Sequence, residues 1–320
     1  MADPRPRLVL DCDPGHDDAL ALMVAHRYAE VLAVTTVAGN ATLEATTRNA
    51  LVVADLIGAD VGVHAGASRP LLAPPRHAEA VHGRTGMDGP EPRDPRRAAA
   101  SSDAVRVILN AGVAPAGPTA PSDHTDGPAP WLVVTGPMTN VALAVRSDPT
   151  VVERYAGLAF MGGAARLGNV TPVAEFNAWA DPEALAVVLD AGWRRVVQCG
   201  LDLTLQLLLD EADVARLRTA GGEVASFAAD LLAFALDRQE RRLGRRAAPV
   251  HDACAVLAVT HPELLDVVDR RVEVELAGTF TRGMTVTDLR AEGGEPNVGV
   301  AEAIDVGGAR AVLFDALGAG

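Results

Sequence analysis

The stretch Asp11-Cys12-Asp13-Pro14-Gly15-His16-Asp17-Asp18 decides how this chain folds. Residues 8–11 run apolar up to the first acid, Asp13-Pro14-Gly15 is turn chemistry, and residues 17–28 have helical period. The segment reads strand, turn, helix, with four carboxylates inside eight residues where the strand gives way to the helix. One or two acids there would cap the helix and complement its dipole. Four repel one another unless a cation sits among them, and clustered hard oxygen ligands suit Ca²⁺ or Mg²⁺. Zinc fits poorly, because Cys12 and His16 flank the turn without a second Cys/His pair. A phosphate loop also fits poorly: there is no Gly-x-x-x-x-Gly-Lys-Ser/Thr and no lysine in the chain.

Outward from this turn the pattern repeats. A second apolar run at 31–37 ends in a turn at Gly39-Asn40, and a helix is expected over 42–57. Further strands are expected at 61–64, 131–135, 158–161 and 196–199, with helical segments between most of them. Strands alternating with helices give an α/β fold. The sheet should be doubly wound, mostly parallel and open in the Rossmann manner, with the site at the C-terminal strand ends. Residues 202–246 read as an amphipathic helical lobe beside the sheet. Residues 68–95, rich in Pro, Gly, His and Arg, read as a long loop over the sheet edge. Residues 114–130, rich in Pro, Ala, Ser and Asp, read as a surface insertion in a single domain spanning 1–320.

The net charge of −14 argues against nucleic acid or an anionic membrane as partner, since both require a basic footprint. Cys12, Cys199 and Cys254 are odd in number and have apolar neighbours, so free buried thiols in a reducing compartment are expected. No apolar signal core or long apolar span occurs, and a cytoplasmic location is the expectation.

Read as a set, the motifs resemble the inosine–uridine-preferring nucleoside hydrolase family. The run 11–20 matches its Asp-x-Asp-Pro-Gly-x-Asp-Asp signature, and 35–40 its second strand and asparagine. His82-Gly83-x-x-Gly86-x-Asp88-Gly89 is similar to its mobile loop, and Thr135-Gly136-Pro137-Met138-Thr139-Asn140 to the loop that gives a carbonyl to the metal. Met161-Gly162-Gly163 and Glu175-Phe176-Asn177 resemble its ribose-binding segments, Val250-His251-Asp252 its late acidic motif, and 281–284 with Asn297-Val298 its C-terminal pattern.

The resemblance implies N-glycosidic hydrolysis of ribonucleosides, with a part in purine or pyrimidine salvage. It implies a Ca²⁺ cofactor held by Asp13, Asp18, Asp252 and the Thr135 carbonyl, with Asp13 as base toward water. Asp17, Asn177 and Asn40 are implied at the ribose hydroxyls, Met161 in the ribose segment, and Asn169 and Glu175 at the 5′-hydroxyl. The alternation across Glu175-Phe176-Asn177 looks strand-like and would put acid and amide on one face. His251 is implied as the acid for the leaving base, a position that goes with pyrimidine or broad specificity. Asp252 would sit at the same pocket, and His82 with Arg84 would cover it. Phe234, Arg238 and Gln239 are candidates for reaching the base, and Trp179 is the one tryptophan beside the ribose segment. A homodimer or homotetramer is also implied.

Two rival readings stand beside this one. A haloacid-type, Mg²⁺-dependent phosphohydrolase would form an acyl-phosphate on Asp11 or Asp13. It normally carries Thr or Val two residues after the second Asp and a later Lys; here stand Gly15 and no lysine. A non-catalytic nucleoside-binding protein would need no base or acid and would normally carry an export signal. The insertion gives a first prediction. Residues 114–130 lack the apolar side chains of a core segment and carry no motif. Replacing them by a brief Gly-containing turn should leave kcat/KM unchanged in a steady-state assay; a large loss would place them in the site or an interface.

Overall fold

The computed structural model describes residues 5–111, 128–290 and 292–320; most of the 114–130 insertion lies outside the described residues. The first half is built from β1 (Arg7–Cys12), α1 (His16–Tyr28), β2 (Glu30–Thr36), α2 (Leu43–Leu56) and β3 (Val63–Ala65). It continues with α3 (Glu79–His82), α4 (Ala104–Asn110), β4 (Trp131–Val134), α5 (Thr139–Ser147) and β5 (Gly157–Met161). Next come α6 (Phe176–Ala180), α7 (Pro182–Leu189), β6 (Val196–Cys199), α8 (Leu201–Thr204), β7 (Leu208–Leu209), α9 (Glu211–Ala220) and α10 (Glu223–Leu243). The chain ends with β8 (Ala248–Pro249), α11 (Ala253–Thr260), β9 (Leu265–Arg270), β10 (Val272–Val274), β11 (Thr285–Thr287), β12 (Val298–Ile304) and α12 (Val306–Ala316).

Eight strands form one sheet in the order β3-β2-β1-β4-β5-β6-β12-β9. Every neighbouring pair is parallel except β9 on β12, an antiparallel edge. The mostly parallel, doubly wound sheet is therefore as the strand–helix alternation implies. Its two faces are covered differently. Leu8 and Leu10 point into one apolar cluster with α1, α2, α10, α11 and α12, while Val9 points into a second with α4, α5 and α7. Burial on both faces explains why Leu8, Val9 and Leu10 of β1 run apolar without alternation. The 202–246 segment contributes Val214, Leu217, Leu231 and Leu236 to the first cluster, so the helical lobe shares the sheet's core.

The topology fixes where a site can form. From β1 the chain steps outward to β2 and β3, then returns to β4 on the other side and steps out to β5 and β6. The loops after β1 and β4 thus diverge at a switch point, where a crevice opens at the C-terminal strand ends. There the Thr135 N–H donates to the Asp11 carbonyl at 2.8 Å, setting the two loops side by side. The Thr42 hydroxyl caps α2, accepting from Ala45 N at 3.4 Å, so Thr42 precedes the helix expected to include it.

The C-terminal strands differ from what periodicity gives. The sequence predicts no strand beyond residue 199, yet the short pair β7 and β8 and then β9, β10, β11 and β12 follow. β9 (Leu-Asp-Val-Val-Asp-Arg) is largely exposed along its length and carries charges, as suits an edge strand. β12 contains Gly299, where a Cβ would sit 2.8 Å from Val267 Cγ1 on β9. Close packing there needs glycine, which weakens the strand signal. Among the described residues no helix is long and apolar enough to cross a membrane, and all three cysteines are free and buried.

Candidate active site

Asp18, in the first turn of α1, organises the acidic turn. Its Oδ1 accepts from the Thr135 hydroxyl at 2.8 Å and from Asp13 N at 3.3 Å. Its Oδ2 accepts from Gly15 N and from Asn40 Nδ2, both at 3.0 Å. Asn40 also donates its backbone N–H to Asp13 Oδ2 at 2.6 Å and its amide to the Asp13 carbonyl at 3.2 Å. The expected asparagine is therefore at the site, as the clamp between Asp13 and Asp18. Asp13 Oδ1 is buried without a hydrogen-bond partner. Glycines crowd this carboxylate: a Cβ on Gly39 would lie 2.1 Å from Oδ2, and one on Gly136 2.8 Å from Oδ1.

Asp17, Asp18 and Asp252 each offer an oxygen within 4.8 Å of the other two. Asp252 is brought there by the start of α11, which packs on α1. This compact trio differs from the expected ligand set in holding Asp17 rather than Asp13, which joins through its N–H to Asp18. Burial raises all four acids. Asp17 and Asp18 are pushed up to about 6, and Asp13 and Asp252 well above the usual carboxylate range. After burial, neighbouring carboxylates are the largest influence raising Asp13, Asp18 and Asp252. No ion pair among the described residues includes any of the four. A buried, unpaired oxygen beside three converging carboxylates fits a hard divalent cation.

Asp11 belongs to a different environment. It is fully buried and accepts from the Thr35 hydroxyl at 2.6 Å and Asn140 Nδ2 at 2.8 Å. Burial raises it to about 7. Its two donors tie it to β2 and α5, and it is not among the three acids whose oxygens converge.

Across the crevice, Asn177 Nδ2 donates to the Thr135 carbonyl at 2.7 Å and the Met161 carbonyl at 3.2 Å, tying three expected site residues together. Glu175 and Asn177 are not strand-like. Glu175 is the N-cap of α6: Oε1 accepts from Asn177 N at 2.9 Å, and Oε2 from Ala178 N at 3.1 Å and Gly163 N at 2.8 Å. A capping acid satisfies helix N–H groups that a strand would not leave open, which is the physical reason for the difference. Met161 is buried at the end of β5. Asn169 lies farther out in an exposed turn, where Oδ1 accepts from Phe176 N at 3.0 Å.

Histidines gather beside the acidic turn. His251, next to Asp252, has Nδ1 2.7 Å from the Thr204 hydroxyl on α8. Burial lowers it to about 4, so it is neutral at physiological pH. His82, at the end of α3, is lowered well below its ordinary value by burial and then by His16 and His251. His16 stacks on Phe234 with ring centres 4.9 Å apart, and the Arg238 guanidinium lies 5.1 Å from the Phe234 ring centre. Thus Phe234 and Arg238 on α10 do approach the turn. Trp179 is engaged by Arg76 at 3.9 Å, and Arg84 is exposed. Thr204 and His16 were not expected as site residues. Thr204 has no motif around it, whereas His16 stood inside the signature and was passed over as a flanking residue.

Comparison with known proteins agrees with this geometry. The profile of the family described as inosine-uridine preferring nucleoside hydrolase matches residues 8–311. The chain is 40% identical over 303 residues to the pyrimidine-specific ribonucleoside hydrolase RihA of Enterobacter sp. (strain 638), covering 93% of each chain. It is 39% identical to the protein of the same name from Salmonella typhimurium, covering 93% of this chain and 94% of that one. Among solved structures, the purine-preferring ribonucleoside hydrolase from Gardnerella vaginalis superimposes with a TM-score of 0.88 at 29% identity, with 98% of both chains covered. Neither a phosphohydrolase nor a non-catalytic binding protein is consistent with these matches. The chain belongs to the inosine-uridine preferring nucleoside hydrolase family, and it is a ribonucleoside hydrolase.

Proposed function

We propose that the enzyme is calcium-dependent and prefers pyrimidine ribonucleosides. The observation that carries the metal reading is the cluster of Asp13, Asp17, Asp18 and Asp252, all raised by burial and all but Asp17 raised further by neighbouring carboxylates, with no cationic side chain in an ion pair. All the donors are oxygens, the chemistry of Ca²⁺, which takes about 6–8 of them. Asp13, Asp18 and Asp252, with the Thr135 carbonyl and with Asp17 close by, are the residues that would hold it. When bound, the ion supplies positive charge that offsets these acids and favours water and sugar hydroxyls at the same place.

The chain's own groups then have separate tasks. Asp13 Oδ1, without a hydrogen-bond donor, accepts the proton of the attacking water. Asn40 holds the other oxygen of that carboxylate and so aims Oδ1. Asp17 and Asn177 hold the ribose 2′- and 3′-hydroxyls. Glu175 and Asn169, at the start of α6 and in the turn before it, mark the end that receives the 5′-hydroxyl. Water adds to the anomeric carbon as the C–N bond breaks, and the base leaves with the pair of electrons. With the Thr204 hydroxyl as donor to His251 Nδ1, the neutral ring carries its proton on Nε2 and would hydrogen-bond the departing base, which then takes its proton from solvent. His82 lies at the same rim. Pyrimidine preference rests on His251 beside Asp252 and on the likeness to relatives named for that specificity.

Two outcomes test this reading. Gly39→Ala puts a methyl group where the Asp13 carboxylate sits. Calorimetric titration should show Ca²⁺ affinity lowered by about 10–100-fold, the range typical of residues that orient ligands. Unchanged affinity would remove Asp13 from the metal site. His251→Ala should slow uridine hydrolysis by about 10²–10³-fold, the usual cost of removing one preorganised hydrogen-bond donor from a developing charge. Hydrolysis of p-nitrophenyl riboside, whose leaving group needs no proton, should stay near wild type. Equal losses on both substrates would move the donor role to another group.

A further inference from the structure

Gly15 and His16 of the acidic signature take no part in the chemistry above, yet both face residues 82–89. His16 Nε2 lies 2.7 Å from the carbonyl oxygen of Asp88, and its Nδ1 lies 3.0 Å from Nδ1 of His82. A carbonyl only accepts, so Nε2 carries a proton there. One imidazole therefore holds both ends of the 82–88 loop. The ring is nearly parallel to Phe234, with 5° between planes, and its centre is 5.3 Å from that of His82.

Gly15 supplies the space. A Cβ at residue 15 would meet His82 Nδ1 at 2.6 Å and Cε1 at 2.9 Å. The His82 ring thus rests on the bare backbone of the turn that precedes Asp17 and Asp18. The middle of the loop is braced separately. Asn49 Nδ2 donates to the Pro14 and Thr85 carbonyls, both at 2.9 Å, and the Asp88 carboxylate accepts from Arg84 N and Thr85 N, both at 3.2 Å. None of these bonds fixes the His82 side chain; His16 does, through its ring at 3.0 Å and more distantly through its backbone N–H, 3.4 Å from His82 Nδ1.

We propose that His16 is a positioning residue for nucleoside hydrolysis, seating the His82 ring at the pocket rim and acting on the reaction only through it. This rests on the reading of His82 as a rim residue. A ring that only filled space against Phe234 would influence stability and not couple to His82.

The test is a thermodynamic cycle in kcat/KM for uridine, using His16→Phe, His82→Ala and the double variant. Phenylalanine keeps a flat ring against Phe234 and removes both nitrogens. Each single variant should lose about 10–100-fold, a range consistent with misplacing a group by roughly 1 Å. The double variant should lose no more than the worse single one. The rise in Tm on adding Ca²⁺ should match wild type throughout, since the carboxylates are untouched. Multiplying losses in the double variant, or a lost Ca²⁺ response in His16→Phe, would overturn the proposal. If His82→Ala leaves kcat/KM unchanged, the rim role of His82 falls and the proposal with it, while wild-type nucleoside hydrolysis stands. Should His16→Phe not fold, His16→Leu removes the same nitrogens in a smaller apolar side chain. It should show the same loss, and none beyond it in the His82→Ala background; an added loss there overturns the proposal.

Discussion

Four carboxylates buried at one end of a parallel sheet repel each other, and much of the surrounding structure answers that repulsion. Asn40 gives three hydrogen bonds to the main chain and side chains of Asp13 and Asp18. The Thr135 hydroxyl and the Gly15 N–H are spent on Asp18. Gly39 and Gly136 leave room for the Asp13 carboxylate where any side chain would intrude. These contacts come from the loops after β1, β2 and β4, three neighbouring strands of the sheet. The switch point between β1 and β4 is what lets them converge.

The first half of the fold was legible because its physics is local. An apolar strand ending in acids, a Pro-Gly turn and a periodic helix can be read from adjacent residues, and β1 through β6 fall where those signals place them. The placement of Asp13, Asp18, Thr135 and Asp252 at strand ends and helix starts follows from the same local signals, whereas their roles as ligands come from the resemblance alone. Long-range partners were not. The Thr204–His251 bond joins residues 47 apart in sequence, and no pattern around Thr204 announces it. Glu175 looked like one member of an alternating pair, but three backbone N–H groups converge on it as a helix cap. The later strands were hidden by glycine and by an exposed, charged edge.

The site separates its two kinds of chemistry by environment. Around the acidic turn, burial holds the carboxylates at raised pKa, so binding a cation there would release protons. Beside it, burial lowers His16, His82 and His251, so these rings serve as neutral donors and acceptors. The same loss of solvent produces both shifts, with opposite sign for acids and bases. The loop carrying His82 is fastened to the turn carrying the acids, which couples the two halves of the pocket mechanically.

The most direct measurement is the melting temperature across pH, with chelator and with Ca²⁺. Asp17 and Asp18 titrate near 6 in the folded protein against 3.8 in the unfolded chain. Their folded-state pKa values are raised, so ionisation disfavours the fold as pH rises from about 4 through the folded values. Chelated protein should therefore lose stability over that interval and above it, because Asp13 and Asp252 are raised further. Ca²⁺ should restore most of the loss near neutral pH and add little below about pH 4, where carboxylates are protonated in both states. A chelated protein with full activity and an unchanged melting temperature at neutral pH would contradict a carboxylate cluster that depends on a cation.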